Sequence, residues 1–346
     1  MRPNYQPWEI KIDDFPQRES LSSQIRFVLQ YAILAPSTHN SQPWLFKINK
    51  SECEIYYDPK LALPEADSKM RDLYISMGCC LENLILAANY FNIFNSIIYG
   101  SFDKKEQVAV IKFKLYTGNI NNKYEKIINT IPKRINARGI FYSDTVPRNL
   151  LNNIFFTTKD YLVDGINIHW VTDKNKITDL ALLTADGLKI AYLKPSFRRE
   201  MSSWINNNLT KKKDGIPGYA LKMPLILSFI FPKLVRWFNL GNFLSKKNYA
   251  SLSSAPLVVI ITAENENPII WTKVGRLAER LMLEFNSFNW QTSIFVAALE
   301  MGDLYKKVQN IIDNTNQIPQ FLFAVGKVNC LHKATPRHEL TKKIIS

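Results

Sequence analysis

The sequence predicts an α+β fold in two halves. Two long segments, 71–91 and 271–288, are apolar nearly all round and read as buried helices. Each keeps company with short alternating or wholly apolar runs that read as strands. The order of these elements recurs, although the two halves are not alike in sequence. With 346 residues, the chain can bury one large core or two smaller ones.

The elements follow in order. "SLSSQIRFVLQYAILA" (20–35) is a helix capped by Ser20 or a serine just after it, with Ile25, Val28, Leu29, Ala32 and Ile33 on one face. Pro36 stops it. "WLFKINK" and "ECEIYYD" alternate as two strands about a polar turn, and "NSIIYG" and "VAVIKFKLY" are strands after the first long helix. "KYEKIINTIP", "PRNLLNNIFFTT" and "KITDLALLTADGLKIAYL" read as helices, with a strand at "NIHWVT". "SAPLVVIITA" is a buried strand, and "PQFLFAVGKV" closes the order after the second long helix. The segment 215–241 stands apart. It is apolar, broken by Pro217, Pro224 and Pro232, and too irregular for a core helix. It reads as a lid, as an interfacial membrane segment suited by Lys222, Lys233, Arg236 and Trp237, or as an oligomer contact.

Hydrophobic residues at 46% and charged residues at 21% are ordinary for a globular chain. A net charge of +14 would suit nucleic acid, anionic membranes or phosphate-bearing ligands, but lysine is spread along the chain as on a solvated surface. No helix-turn-helix, finger or aromatic RNA signature occurs, so no nucleic-acid role is expected. Cys53, Cys79, Cys80 and Cys330 form no CxxC pair, and the histidines are scattered, so neither a disulfide framework nor a metal site is expected. The N-terminus has no apolar signal region and no run of eighteen apolar residues occurs, so the expected location is a reducing cytoplasm.

Two stretches carry candidate chemistry. "APSTHNSQPW" (35–44) places Ser37, Asn40 and Gln42 on a tight loop between helix and strand. Such a loop either offers polar edges to a planar heterocycle or satisfies its own backbone. In "RINAR", Arg134 and Arg138 lie at i and i+4 and face one way if the segment is helical or turn-like. With Asn136 between them they match a phosphate monoester, or else form a solvated basic turn. Lys333 and Arg337 are a further basic pair near the C-terminus.

"LQYAILAPSTHNSQPWLFKI" resembles the flavin loop of the nitroreductase superfamily, and the following 56–88 stretch resembles the Acg-like branch, in which two nitroreductase-type halves are fused. "RINARGIFYSDTVP", "REMSSWINNNLTKKKDGIPGYAL", the stretch 254–293 and "ATPRHEL" extend the likeness over roughly 20–340. The resemblance implies a pseudo-dimer with mixed or antiparallel sheets and central helices, divided as 1–125 and 126–346, with a lid inserted about 195–250. It implies an FMN cofactor, with Arg134, Asn136 and Arg138 at the phosphate, helped by Lys333 or Arg337, and Ser37, Asn40 and Gln42 at the ring. Hydride would pass from NAD(P)H through the flavin to a nitro compound, quinone or activated alkene. The alternative is a flavin-storing protein closed by its lid. Two departures stand out: Asn136 replaces the usual Ser or Thr, and "NSFNWQTSIF" lacks the glycines that usually face the flavin, leaving Trp290 to stack on a ligand or block one. Arg198 and Arg199 are candidate partners of the ring edge, Arg199 alternatively pairing with Glu200 at the surface. The fused chain is expected as a monomer with an internal pseudo-dimer, or as a homodimer, acting on a small molecule.

Overall fold

The computed structural model describes residues 3–100, 105–329 and 333–345. The first half opens on α1 (Leu21–Ala32), capped by Ser20, whose Oγ accepts from Ser23 N at 3.2 Å. Strands β1 (Trp44–Asn49) and β2 (Glu52–Tyr57) follow, then α2 (Arg71–Tyr90), β3 (Phe94–Tyr99) and β4 (Gln107–Phe113). They pair antiparallel in the order β1-β2-β4-β3. The helix expected over 123–132 is broken: only α3 (Glu125–Ile128) is α-helical, and a 3-10 turn containing Pro132 ends the run.

Next come α4 (Arg148–Thr158), β5 (Asn167–Val171), α5 (Lys174–Leu193), α6 (Pro195–Trp204), β6 (Ile205–Asn206) and β7 (Ile216–Pro217). Then follow α7 (Leu225–Trp237), α8 (Gly241–Ser254), β8 (Leu257–Ala263), α9 (Pro268–Ser287) and β9 (Gln291–Ile294). The order ends with α10 (Ala297–Glu300), α11 (Leu304–Ile311) and β10 (Ile318–Gly326). The second large sheet, β5-β8-β10-β9, is also antiparallel. In each sheet the strand that follows the long helix lies at an edge.

The two long helices are the axis of the molecule. They touch at Gly78 and Gly275, each the eighth residue of its helix. A Cβ on Gly78 would lie 2.1 Å from the Thr272 carbonyl oxygen, and one on Gly275 would lie 2.1 Å from that of Ile75. The contact is reciprocal, as a pseudo-twofold axis between the helices requires. Only glycine admits this approach. One continuous core surrounds the crossing and draws on both sheets: Ile55 and Ile111 from the first, Val259 and Phe323 from the second.

The segment 215–241 departs from the expected irregularity. A 3-10 turn over Gly218–Leu221 leads into α7, which keeps Pro232 inside it. Phe231 and Val235 pack inward, while Ile226 stays 83% and Trp237 72% exposed. Among the described residues, no helix is long and apolar enough to cross a membrane.

Candidate functional site

Two adjoining cavities of about 110 and 200 Å³ share Ser37, His39, Asn136, Arg138, Ile216 and Ile294 as walls. The loop after α1 forms one side. It is strained: His39, Asn40 and Gln42 all adopt left-handed backbone, with φ of 53°, 58° and 53°. None is glycine, so each position costs on the order of 1 kcal/mol unless its surroundings hold it.

The surroundings do hold it. Ser37 Oγ accepts from Gln42 N at 2.9 Å and closes the loop. Asn40 Nδ2 donates to the carbonyls of Gly215 and Pro336, both at 3.1 Å, while Arg337 Nη1 donates to Asn40 Oδ1 at 2.6 Å. Gln42 Nε2 donates to the Lys213 carbonyl at 2.6 Å, and Gln42 Oε1 accepts from His338 N at 2.9 Å. Asn40 and Gln42 thus clasp the segment before β7 and the C-terminal tail. Gln42 is fully buried behind the loop and does not line either cavity. His39 is different. Its Nε2 is buried with no hydrogen-bond partner, and burial, with nearby Arg138, lowers its pKa to about 4. It faces the cavities as a neutral imidazole.

The "RINAR" segment is neither helical nor a turn. It runs extended, and Asn136 bridges to Thr292 beside β9. The period of an extended chain is two, so 134, 136 and 138 share a side nonetheless, and all three line the first cavity. Their states differ. Arg134, 3% exposed, forms an ion pair with fully buried Glu279, Nε to Oε1 at 3.1 Å. Asn136 Oδ1 accepts from Ile294 N at 2.9 Å, so its carbonyl side is spent on the sheet edge. Arg138 has no ion pair among the described residues, and burial lowers its pKa.

Arg337 completes the basic end. Its guanidinium is buried and donates to the Leu34 and Ala35 carbonyls at 3.1 and 2.9 Å and to Thr335 Oγ1 at 2.7 Å. Its Nε has no partner, and it lies over the ring of Trp8, 4.7 Å from the centroid. Burial, then Arg134, lowers its pKa to about 9. Three guanidiniums therefore line the outer cavity, and among the described residues only Arg134 is ion-paired there, to Glu279. That excess of positive charge in a low-dielectric setting calls for an anion.

The inner cavity carries the opposite chemistry. Asp72, in the first turn of α2, is 5% exposed and lines the wall with Oδ1 unpartnered. Asp67 and Glu300 stand near it, and Glu300 pairs with buried Arg71. Burial, then Glu300 and Asp67, raises the Asp72 pKa well above the ordinary carboxyl range. Burial thus favours the protonated form of Asp72 on the cavity wall.

Several expected residues lie elsewhere. Trp290, just before β9, is buried in the core under Lys327 and lines neither cavity, because its ring is committed to the core. Arg199 is exposed on α6, and Glu200 accepts from the backbone of Glu65 and Ala66. Arg198 donates to the Tyr192 and Leu193 carbonyls. Lys333 is exposed and is not on the cavity wall. Trp8, Thr335, Ile216, Ala220 and Asp72 line the cavities without having been singled out. Asp72, Ile216, Ala220 and Thr335 fall in segments that carry the family resemblance, but nothing in their local pattern distinguishes them from their neighbours, and Trp8 falls in none.

No family model matches the sequence. Over 73 residues the chain is 34% identical to two curated proteins of Mycobacterium tuberculosis, each provisionally named an NAD(P)H nitroreductase. The matched stretch is 21% of this chain, and it spans about a fifth of the length of those relatives. Among solved structures, an FMN- and NADPH-dependent nitroreductase from Sphigopyxis sp. strain HMH aligns over 64% of this chain and 98% of its own, at 14% identity and TM-score 0.42. Nitroreductase A of Vibrio parahaemolyticus aligns over 61% and 71%, at 12% identity and TM-score 0.38. These superpositions are too loose to carry residue positions across.

Proposed function

We propose that this relative of the nitroreductase superfamily binds FMN in the double cavity and works as an NAD(P)H-dependent oxidoreductase. The observation that carries the reading is the excess of guanidinium over carboxylate at one end of a cavity walled by the loop at 36–40. FMN, when bound, would supply the redox chemistry: two electrons from NAD(P)H pass to an electron-poor small molecule such as a nitro compound, a quinone or an activated alkene.

This chain's residues supply the rest. Arg138 and Arg337 would hold the phosphate, each lacking a carboxylate partner, while Arg134 is held in place by Glu279. Ser37 and the neutral His39 line the cavity with groups that hydrogen-bond a ring edge. Asp72 puts an unpartnered carboxyl oxygen on the wall, within the cavity where an acceptor would sit. Ile216, Ala220 and Ile294 keep the space apolar and restrict water. In this reading the chain divides near 125/126, the halves form the pseudo-dimer, and 195–250 is inserted into the second.

A flavin-storing protein is the second reading. What favours it is the clasp of Asn40 and Gln42 on 213–215, which fixes the entry to the segment that walls the site. The exposed apolar side of α7, with Lys233 and Arg236 beside it, favours a membrane contact over a lid for that helix alone.

The deciding experiment is one absorption series. Purified protein should take up one FMN per chain, Arg138→Ala should lose it, and NADPH should bleach the bound flavin anaerobically. Failure to take up FMN overturns both readings. Flavin that is bound but not reduced leaves the storage reading standing and overturns the reductase.

A further inference from the structure

A more spacious cavity lies on the other side of the central helices, with a volume of about 660 Å³. The pseudo-twofold axis relates it to the proposed flavin site. Gly78 and Gly275 are 197 positions apart (275 − 78). The same shift relates Ile294 to Ile97 and Val296 to Tyr99, both in the edge strand β3 of the other sheet, and it relates Cys79 to Arg276 and Ser76 to Lys273. The first member of each pair lines the inner cavity of the flavin site, and the second lines the large cavity. The loop after α4, with Lys159, Asp160 and Tyr161, lines this cavity as the loop after α1 lines the first.

The lining chemistry has diverged. Arg276 fills the place of a cysteine. Its Nε pairs with Glu82 at 3.0 Å, its Nη1 donates to Tyr99 Oη at 2.8 Å, and it lies 5.5 Å from the centre of the Tyr161 ring. Lys273 pairs with Asp164, and Arg280 with Glu284. Lys123 and Lys159 have no ion pair among the described residues and lie over Tyr124 and Phe156. The walls between these cations are Ile97, Tyr99, Phe156 and Tyr161. Aromatic and aliphatic walls take a planar ring, and two uncommitted ammonium groups take a negative charge. Phe156 is 68% exposed, an apolar cost in water that a bound ring would relieve.

We propose that this second cavity is a binding site for a small planar aromatic anion, distinct from the flavin site and independent of whether flavin binds there. Its ring lies among Tyr99, Phe156 and Tyr161, and its anionic group meets Lys123 and Lys159.

The test is calorimetric titration of the full chain, in the presence of excess FMN, with 2-naphthoate and with the uncharged 2-naphthol. The proposal expects one naphthoate per chain, weaker binding of naphthol, and affinity that falls with added salt. Lys123→Ala/Lys159→Ala should weaken naphthoate about tenfold or more and leave FMN uptake unchanged, since both side chains are exposed and the fold does not depend on them. Arg138→Ala should leave naphthoate binding unchanged. The proposal is overturned by absence of naphthoate binding, by equal affinity for naphthol, by indifference to the double substitution, or by loss of binding in Arg138→Ala, which would place the anion in the first cavity.

Discussion

Titratable residues of the site are held in the forms that burial prefers. His39 keeps a neutral ring because its folded pKa is near 4, below the ordinary histidine value. The unfolded chain binds the extra proton first, so the contribution of His39 to stability is present above the unfolded pKa of about 6.5 and is lost as pH falls toward 4. Its NMR ring signals should show no protonation at pH 5.5, and His39→Asn should flatten the stability curve over that window. Asp67 has the opposite sign. Burial, then Glu300, raises its pKa to about 6. Its stabilisation is present below the unfolded value of about 3.9 and fades as pH rises through 6. Asp67→Asn retains an oxygen to accept from Leu73 N, now at 2.8 Å from Oδ2. Urea melts at pH 4 and pH 8 should show the variant losing that decline.

The crossing of α2 and α9 depends on two absent side chains. Gly275→Ala would set a Cβ against the backbone of Ile75, and backbone cannot rotate away as a flexible side chain would. The helices would have to separate, at a cost of about 3 kcal/mol, read as a lower urea midpoint with an unchanged slope. α7 is the contrasting element. Ile226 and Phe229 lie mostly in water, at 83% and 50% exposure. Replacing both with serine should change stability by no more than about 0.5 kcal/mol. If the helix meets a membrane, the same variant should lose co-sedimentation with anionic liposomes at low salt.

At the scale of the whole molecule, the largest hydrophobic core draws on both long helices and both large sheets, so the unfolding of the two halves is expected to be coupled. A ligand that binds only the folded chain should therefore raise the single unfolding midpoint. FMN at a hundred times its Kd should add about 2.7 kcal/mol. Arg138→Ala should abolish that gain while leaving the flavin-free midpoint nearly unchanged, since Arg138 pairs with no carboxylate among the described residues.

Much of this was legible in the chain. The cap at Ser20, the strands about 50–51, both long helices and the closing strand follow from local periodicity and turn chemistry, which neighbouring residues decide. The polar loop and the arginine pair could be singled out because each is compact in sequence. Their roles were decided elsewhere. Asn40 and Gln42 are committed to residues more than 170 positions away, and Arg134 is neutralised by Glu279 from a distant helix. Arg138 and Arg337 keep their charge uncompensated for want of any such partner. The second large cavity, and its relation to the first through two glycines, has no local signature. Sequence determined which elements form, because helix and strand are selected by near neighbours. Tertiary structure alone decided which polar groups are left over for a ligand, because a buried charge takes its partner from whatever the packing brings within a few ångströms.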